Sequence, residues 1–289
     1  MTNNNPANNI DRFSQQKLQD VAIKENMARI KHKIIIMSGK GGVGKSTVAT
    51  SLASGLAQLG KRVGILDTDI HGPSLAKMLG IEGQLLQPAE RGAGLLPIIK
   101  NGVKVVTMAA LLQDADTPVI WRGPLKMGAI KQFLGEIEWG DLDYLIIDSP
   151  PGTGDEPLSV CQLIPEADGS IIVTTPQDVA LIDSRKTVRF SQALRIPVLG
   201  IIENMSGLKC PHCGEKINLF KIGGGEKAAN NMKLSFLGRI PIDPQIVESC
   251  DSGQTYLTEF ADNEAAKSMQ LIVEKIVDQV EHKSVHVAK

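Results

Sequence analysis

The sequence predicts an α/β fold built on a doubly wound, mainly parallel sheet with helices on both faces. Short apolar runs recur along the chain at 34–37, 63–66, 103–108, 144–147, 170–173, 198–202 and 236–240. Most are apolar on consecutive residues, the signature of strands covered on both sides. The segments between them are long enough for the crossover helices that parallel strands require. The motifs that carry chemistry follow directly after such runs, where open α/β sheets bind their ligands.

Taken in order, residues 1–30 are Asn- and Gln-rich, then place Leu18, Val21, Ala22, Met27 and Ile30 at loose helical spacing. A flexible tail and a short helix are expected there. Crossover helices are predicted at 47–59, 124–134 and 179–194. A C-terminal helix over 264–281 sets Met269, Ile272, Val273, Ile276, Val277 and Val280 on one face. Its polar face mixes Glu264, Glu274, Asp278 and Glu281 with Lys267 and Lys275, unlike the cation-rich face of a membrane-targeting helix. No repeat or long linker divides residues 31–289, which are expected to form a single domain.

Composition narrows the function classes. With 289 residues, 42% hydrophobic and 22% charged, the chain is neither collagen-like, disordered nor a disulfide scaffold. Lys+Arg 31 against Asp+Glu 32 leaves a net charge of -1, and aromatic residues make up 3%. Neither a field nor a stacking surface for nucleic acid results, and no apolar stretch reaches membrane-spanning length. No nucleic-acid or membrane partner is expected. Four cysteines and no leader-like start point to a reducing, cytoplasmic setting.

After the first strand comes Gly39-Lys40-Gly41-Gly42-Val43-Gly44-Lys45-Ser46-Thr47, which satisfies G-x-x-x-x-G-K-[ST] and opens a helix. Such glycines let backbone N–H groups wrap phosphates, while Lys45 reaches the β- and γ-phosphates and the Ser46 hydroxyl ligates magnesium. ATP and Mg2+ are therefore expected. Lys40, directly after the first glycine, resembles the deviant Walker A motif of the MinD, ParA, ArsA and nitrogenase iron protein superfamily. The resemblance implies that Lys40 crosses a homodimer interface to the partner's nucleotide, a role comparable to an arginine finger worth about 10³ to 10⁵ in rate.

Asp67 and Asp69 end the second strand, where a carboxylate can touch the phosphate and metal region or cap the next helix. The superfamily resemblance makes this segment switch I, with Asp69 orienting the attacking water, Asp67 nearer the metal and His71 a turn residue. Asp148 follows four apolar residues as a Walker B aspartate does, with the task of holding magnesium. Gly152 to Gly154 are then a switch that senses the γ-phosphate.

Cys210-Pro211-His212-Cys213 is a lone C-x-x-C after a strand. A tetrahedral zinc or iron–sulfur site needs four ligands, so half a site implies a shared one. Spacing alone leaves iron–sulfur, zinc, a redox couple and a degenerate knuckle open. Cys161 and Cys250 read as packing residues and His212 as a spacer.

The set GKGGVGKST, DTDIHGPS, WRGP at 121–124, DSPPGTGD, TTPQDVAL at 174–181, ENMSGLKCPHCG and GRIPIDP resembles the Mrp/ApbC branch of the superfamily over residues 30–280. The resemblance implies a single P-loop ATPase domain, slow ATP hydrolysis, and a [4Fe-4S] cluster bridging Cys210 and Cys213 of two subunits. It also implies cluster transfer from an assembly scaffold to iron–sulfur apoproteins. Asn204, Pro241 and Asp243 are implied around adenine and ribose, although Asn204 is equally suited to a turn. The cysteine-rich N-terminal motif of eukaryotic relatives is absent, so no second cluster is expected. The alternatives are a positioning ATPase of the MinD/ParA kind and a regulatory ATPase with structural zinc. An electron donor of the nitrogenase-reductase kind fits less well, because its ligand cysteines come from two separate loops.

Overall fold

The computed structural model describes residues 6–69, 74–89, 94–111, 123–210 and 212–287. The chain begins with α1 (Pro6–Ala28), β1 (Ile30–Ser38), α2 (Lys45–Gln58), β2 (Val63–Asp67) and α3 (Leu75–Met78). A small hairpin, β3 (Gln87–Pro88) and β4 (Leu95–Leu96), precedes β5 (Ile98–Lys100) and β6 (Val103–Thr107), which ends in a 3-10 turn at Met108–Leu111. Next come α4 (Gly123–Gly135), β7 (Leu142–Asp148), α5 (Asp155–Leu163), β8 (Gly169–Thr174), α6 (Asp178–Ala193) and β9 (Val198–Glu203). A second hairpin, β10 (Leu208–Lys209) and β11 (Lys216–Ile217), leads to α7 (Gly224–Asn231) and β12 (Phe236–Arg239). The chain closes with α8 (Pro244–Ser252), α9 (Tyr256–Glu259) and α10 (Glu264–Val287).

The main sheet has the order β12-β9-β8-β1-β7-β2-β6-β5, parallel throughout except for β5 on β6. Alternate residues of each strand feed two separate cores. Ile34 and Ile36 of β1 pack with Val48, Leu52 and Leu56 of α2 and with Met269, Ile272, Val273, Ile276 and Val280 of α10. Ile35 and Met37 face the other way, toward Phe133 of α4, Val160 of α5, Leu181 and Val188 of α6 and Met27 of α1. Consecutive apolar residues in β1 follow from this burial on both faces. The stripe of α10 is thus spent on packing against the sheet, and among the described residues no helix is long and apolar enough to cross a membrane.

The predicted strands and crossover helices are found within a few residues of their expected bounds. Three expectations change. The helix before β1 runs for 23 residues and is not short. Its last turns are anchored: Ile23 and Met27 are buried, and Asn26 Nδ2 donates to the carbonyls of Leu134 and Ile137, both at 2.8 Å. Ile30 already belongs to β1, so the expected boundary at residue 30 falls inside ordered structure. The strand expected over 103–108 ends at Thr107, and β5 was not anticipated because its three residues alternate in exposure at the sheet edge. Ile70 to Pro73 of the second motif, with His71, and Trp121, Arg122 and Pro211 lie outside the described residues.

Candidate functional site at the carboxyl edge of the sheet

The loop from Gly39 to Gly44 joins β1 to α2 at the centre of the sheet, with β7 on one side of β1 and β8 on the other. Strand order diverges there, and that is where doubly wound sheets open a crevice. Gly44 is the N-cap of α2 with φ 80°, and a Cβ on it would lie 2.2 Å from Asn204 Nδ2. Gly39 has no such freedom of space either, since a Cβ would meet the Asp183 backbone of α6 at 2.4 Å. Gly41 and Gly42 are exposed, Val43 is buried, Lys40 is partly exposed, and Ser46 and Thr47 start α2. The first-turn N–H groups of α2 and its dipole thus face the loop, as a phosphate cradle requires.

Lys45 and Ser46 both turn to Asp148 at the end of β7. Lys45 Nζ lies 2.5 Å from Asp148 Oδ1, and Ser46 Oγ donates to Oδ2 at 2.5 Å. Asp67 is in register with Asp148 on the adjacent strand and accepts from Thr107 Oγ1 at 2.9 Å and from the Asp69 backbone N–H at 3.0 Å. Thr68 Oγ1 donates to the Asp148 carbonyl at 2.7 Å, locking β2 to β7 beyond the ladder. Burial raises the proton affinity of both Asp67 and Asp148; for Asp67 the neighbouring Asp148 charge adds to it, while Lys45 opposes the rise on Asp148. A hydroxyl beside two buried carboxylates is a hard-oxygen donor set, the kind that suits magnesium.

Cys210 and Cys213 sit on the turn of the β10–β11 hairpin, partly exposed and exposed respectively. The turn is closed by Gly214 N–H to the Cys210 carbonyl and Cys210 N–H to the Glu215 carbonyl, each 2.9 Å, with Gly214 at φ 76°. Backbone N–H groups of Cys213 and then His212 hold the Cys210 thiol below its usual value. N–H groups aimed at sulfur stabilise a thiolate, the form that binds metal. A redox C-x-x-C would open a helix, which this turn does not. Among the described residues, no group of three or more His, Cys, Asp or Glu gathers to hold a metal.

The remaining expected residues are placed as follows. Asn204 is buried, with Nδ2 donating to the Val43 carbonyl at 2.9 Å, so it braces the phosphate loop. Pro241 and Asp243 lie between β12 and α8. The Asp243 carboxylate is committed to structure: it caps α8 through Gln245 N–H at 2.9 Å and accepts from Tyr256 Oη at 2.6 Å and Asn263 Nδ2 at 3.1 Å. Cys161 is buried in α5, its thiol pushed up to about 11 by desolvation. Cys250 is half-buried in α8, and its thiol contacts the Thr47 hydroxyl. The sequence reading passed over Thr107 and Glu203; the available signal was an ionisable or hydroxyl residue closing an apolar strand next to a motif.

A family model described as NUBPL iron-transfer P-loop NTPase matches residues 29–277. The chain belongs to the NUBPL iron-transfer P-loop NTPase family. Curated relatives of this family member include a protein of Methanocaldococcus jannaschii named iron-sulfur cluster carrier protein, 52% identical over 92% of this chain and 90% of its own. A protein of Saccharolobus solfataricus with the same name is 45% identical over 92% and 90%. Among solved structures, a nucleotide-binding protein of Archaeoglobus fulgidus in complex with ADP aligns at TM-score 0.74 and 40% identity over 85% of this chain and 94% of that one. The septum site-determining protein MinD of Pyrococcus horikoshii, complexed with Mg-ADP, aligns at TM-score 0.64 and 23% identity over 85% and 96%, a likeness of fold. The P-loop NTPase fold and the family expected from the motifs are both borne out.

Proposed function

We propose that this NUBPL-family NTPase is an ATP-hydrolysing homodimer that carries a [4Fe-4S] cluster between Cys210 and Cys213 of two copies and passes it from an assembly scaffold to apoproteins. The observation that carries the reading is the half-site itself: two accessible cysteines on one turn, with no third ligand gathered beside them among the described residues. Two such turns across a two-fold axis supply the four thiolates a cluster requires. Leu219, Ile222 and Ile217, all exposed, border the hairpin and supply apolar surface for a second copy. The shared name of the relatives supports the same cargo.

Hydrolysis asks for positioning and charge neutralisation at the phosphates. Lys45 leaves Asp148 for the β- and γ-oxygens, which releases the Asp148 carboxylate toward the metal side of the site. Ser46, Asp67 and Asp148 would hold magnesium, which when bound neutralises charge on the phosphates. Asp69 orients a water whose oxygen bonds to the γ-phosphorus as the bond to the β–γ bridging oxygen breaks, yielding ADP and phosphate. Lys40 of the second copy meets the charge that develops there. Asn204 and the backbone at Pro241 and Asp243 border the base and ribose.

Anaerobic reconstitution with iron and sulfide, followed by metal analysis, tests the reading. About four iron and four sulfide per dimer are expected for the native chain, and both are lost in Cys213→Ala. Zinc in place of iron, about one per dimer on the same four thiolates, or no metal in an intact dimer, would overturn it.

A further inference from the structure

We propose that Glu203 is a positioning residue that couples the nucleotide pocket to the cysteine hairpin, one buried carboxylate clamping both limbs of the hairpin to the strand end that bears Asn204. The proposal deepens the carrier reading and rests on it for the role of Cys210 and Cys213.

Glu203 is the last residue of β9 and is 0% exposed. Its Oε1 accepts from Ser206 Oγ at 2.5 Å, from Gly223 N–H at 2.9 Å and from Arg239 Nε at 3.4 Å. Its Oε2 accepts from Gly225 N–H. Ser206 lies on the limb that leaves for the hairpin, and Gly223 and Gly225 on the limb that returns from it. A Cβ on Gly225 would lie 3.0 Å from the Glu203 Cβ, so α7 is seated directly against this side chain. Capping α7 alone would need only the two glycine N–H groups; the bonds to Ser206 and Arg239 join the outgoing limb and β12 to the same carboxylate. The backbone repeats the link, with Ile240 N–H on the Glu203 carbonyl at 2.8 Å and Ser206 N–H on the Ile240 carbonyl at 2.9 Å.

The other end of the linkage is one residue away. Asn204 holds the Val43 carbonyl of the phosphate loop through its side chain and the Thr174 carbonyl through its N–H, at 2.9 and 2.8 Å. A displacement of Asn204 when a nucleotide enters or changes state is therefore passed to the base of the hairpin through Glu203, because the two residues are adjacent in the chain and the Glu203 carboxylate is bonded to both limbs. A Gln at this position keeps one acceptor oxygen for Ser206, Gly223 and Arg239 but turns its NH2 onto the Gly225 N–H, which unseats α7 from the clamp while keeping the shape.

The test uses the full chain without iron and reads the alkylation rates of Cys210 and Cys213 by peptide mass spectrometry. In the native chain the rates are expected to differ about 5-fold or more between the nucleotide-free and Mg-ATP states. In Glu203→Gln the ratio should fall below about 2-fold while ATP affinity, measured by fluorescent-nucleotide titration, stays within about 3-fold. Ser206→Ala removes a single donor, should lower the ratio partway, and decides the matter if Glu203→Gln does not fold. Native thiols indifferent to nucleotide would overturn the coupling. So would variants in which both rates rise together and keep their ratio, the result of losing a simple brace. Since no iron is present, a chain that fails to take up a cluster overturns the carrier reading alone, and the alkylation ratios still decide the coupling.

Discussion

Gly44 answers two demands at one position, a left-handed backbone and room for Asn204. Gly44→Ala should lower stability by about 1 to 3 kcal/mol and weaken ATP binding, measured by urea unfolding and nucleotide titration. A variant as stable as the native chain would show that Asn204 can give way. Cys161 differs from the hairpin cysteines in lying inside α5. Cys161→Ala should cost about 1 kcal/mol and leave iron uptake unchanged. Asp143 ties the start of β7 to its neighbours, accepting from Lys31 Nζ at 2.8 Å and from Arg62 Nε and Nη2 at 3.1 Å each. The Arg62 hydrogen bonds hold its carboxyl well below the usual range. A folded value below the unfolded one gives stability that is present at neutral pH and lost as pH falls beneath the ordinary carboxylate value. Allowing for solvent screening, Asp143→Asn should cost about 1 kcal/mol near pH 7 and less near pH 3, read from urea midpoints.

Among the elements, α1 is the one whose extent the sequence hid. Its apolar residues are sparse, and the contacts that hold its last turns are long-range: Asn26 satisfies two carbonyls around the end of α4. Periodicity does not reveal a side-chain bond to residues more than a hundred positions away. Asn26→Ala should destabilise by about 1 to 3 kcal/mol with ATP affinity unchanged, since two carbonyls lose their donor. An unchanged unfolding midpoint would mean that α1 is held by Ile23 and Met27 alone. For α10 the periodic stripe was readable in advance, because every third or fourth residue is apolar and the partner is a flat sheet face.

Across the whole molecule, the phosphate loop, the Asp67–Asp148 pair and the cysteine hairpin all open on the carboxyl edge of one sheet. Parallel strands deliver every following loop to that edge, so residues from 39 to 213 converge without any local signal that they should. A face-to-face dimer there would join two half-sites and cover the apolar flank of the hairpin. Leu219→Asp should therefore reduce the dimer fraction of the iron-loaded chain in sedimentation, while leaving the nucleotide affinity of the nucleotide-binding loop within about 2-fold. A dimer of native stability would move the interface away from the hairpin.

The sequence by itself determined the strand–helix alternation, the phosphate-loop motif and the C-x-x-C spacing of Cys210 and Cys213, because each rests on residue type at short spacing. It could not show that Lys45 and Ser46 meet on Asp148, that the Asp243 side chain is consumed in capping α8, or that Glu203 closes the base of the hairpin. Those pairings join residues far apart in the chain whose only common property is arrival at the same sheet edge. Strand order and burial decided them, and neither is written in any local stretch of the sequence.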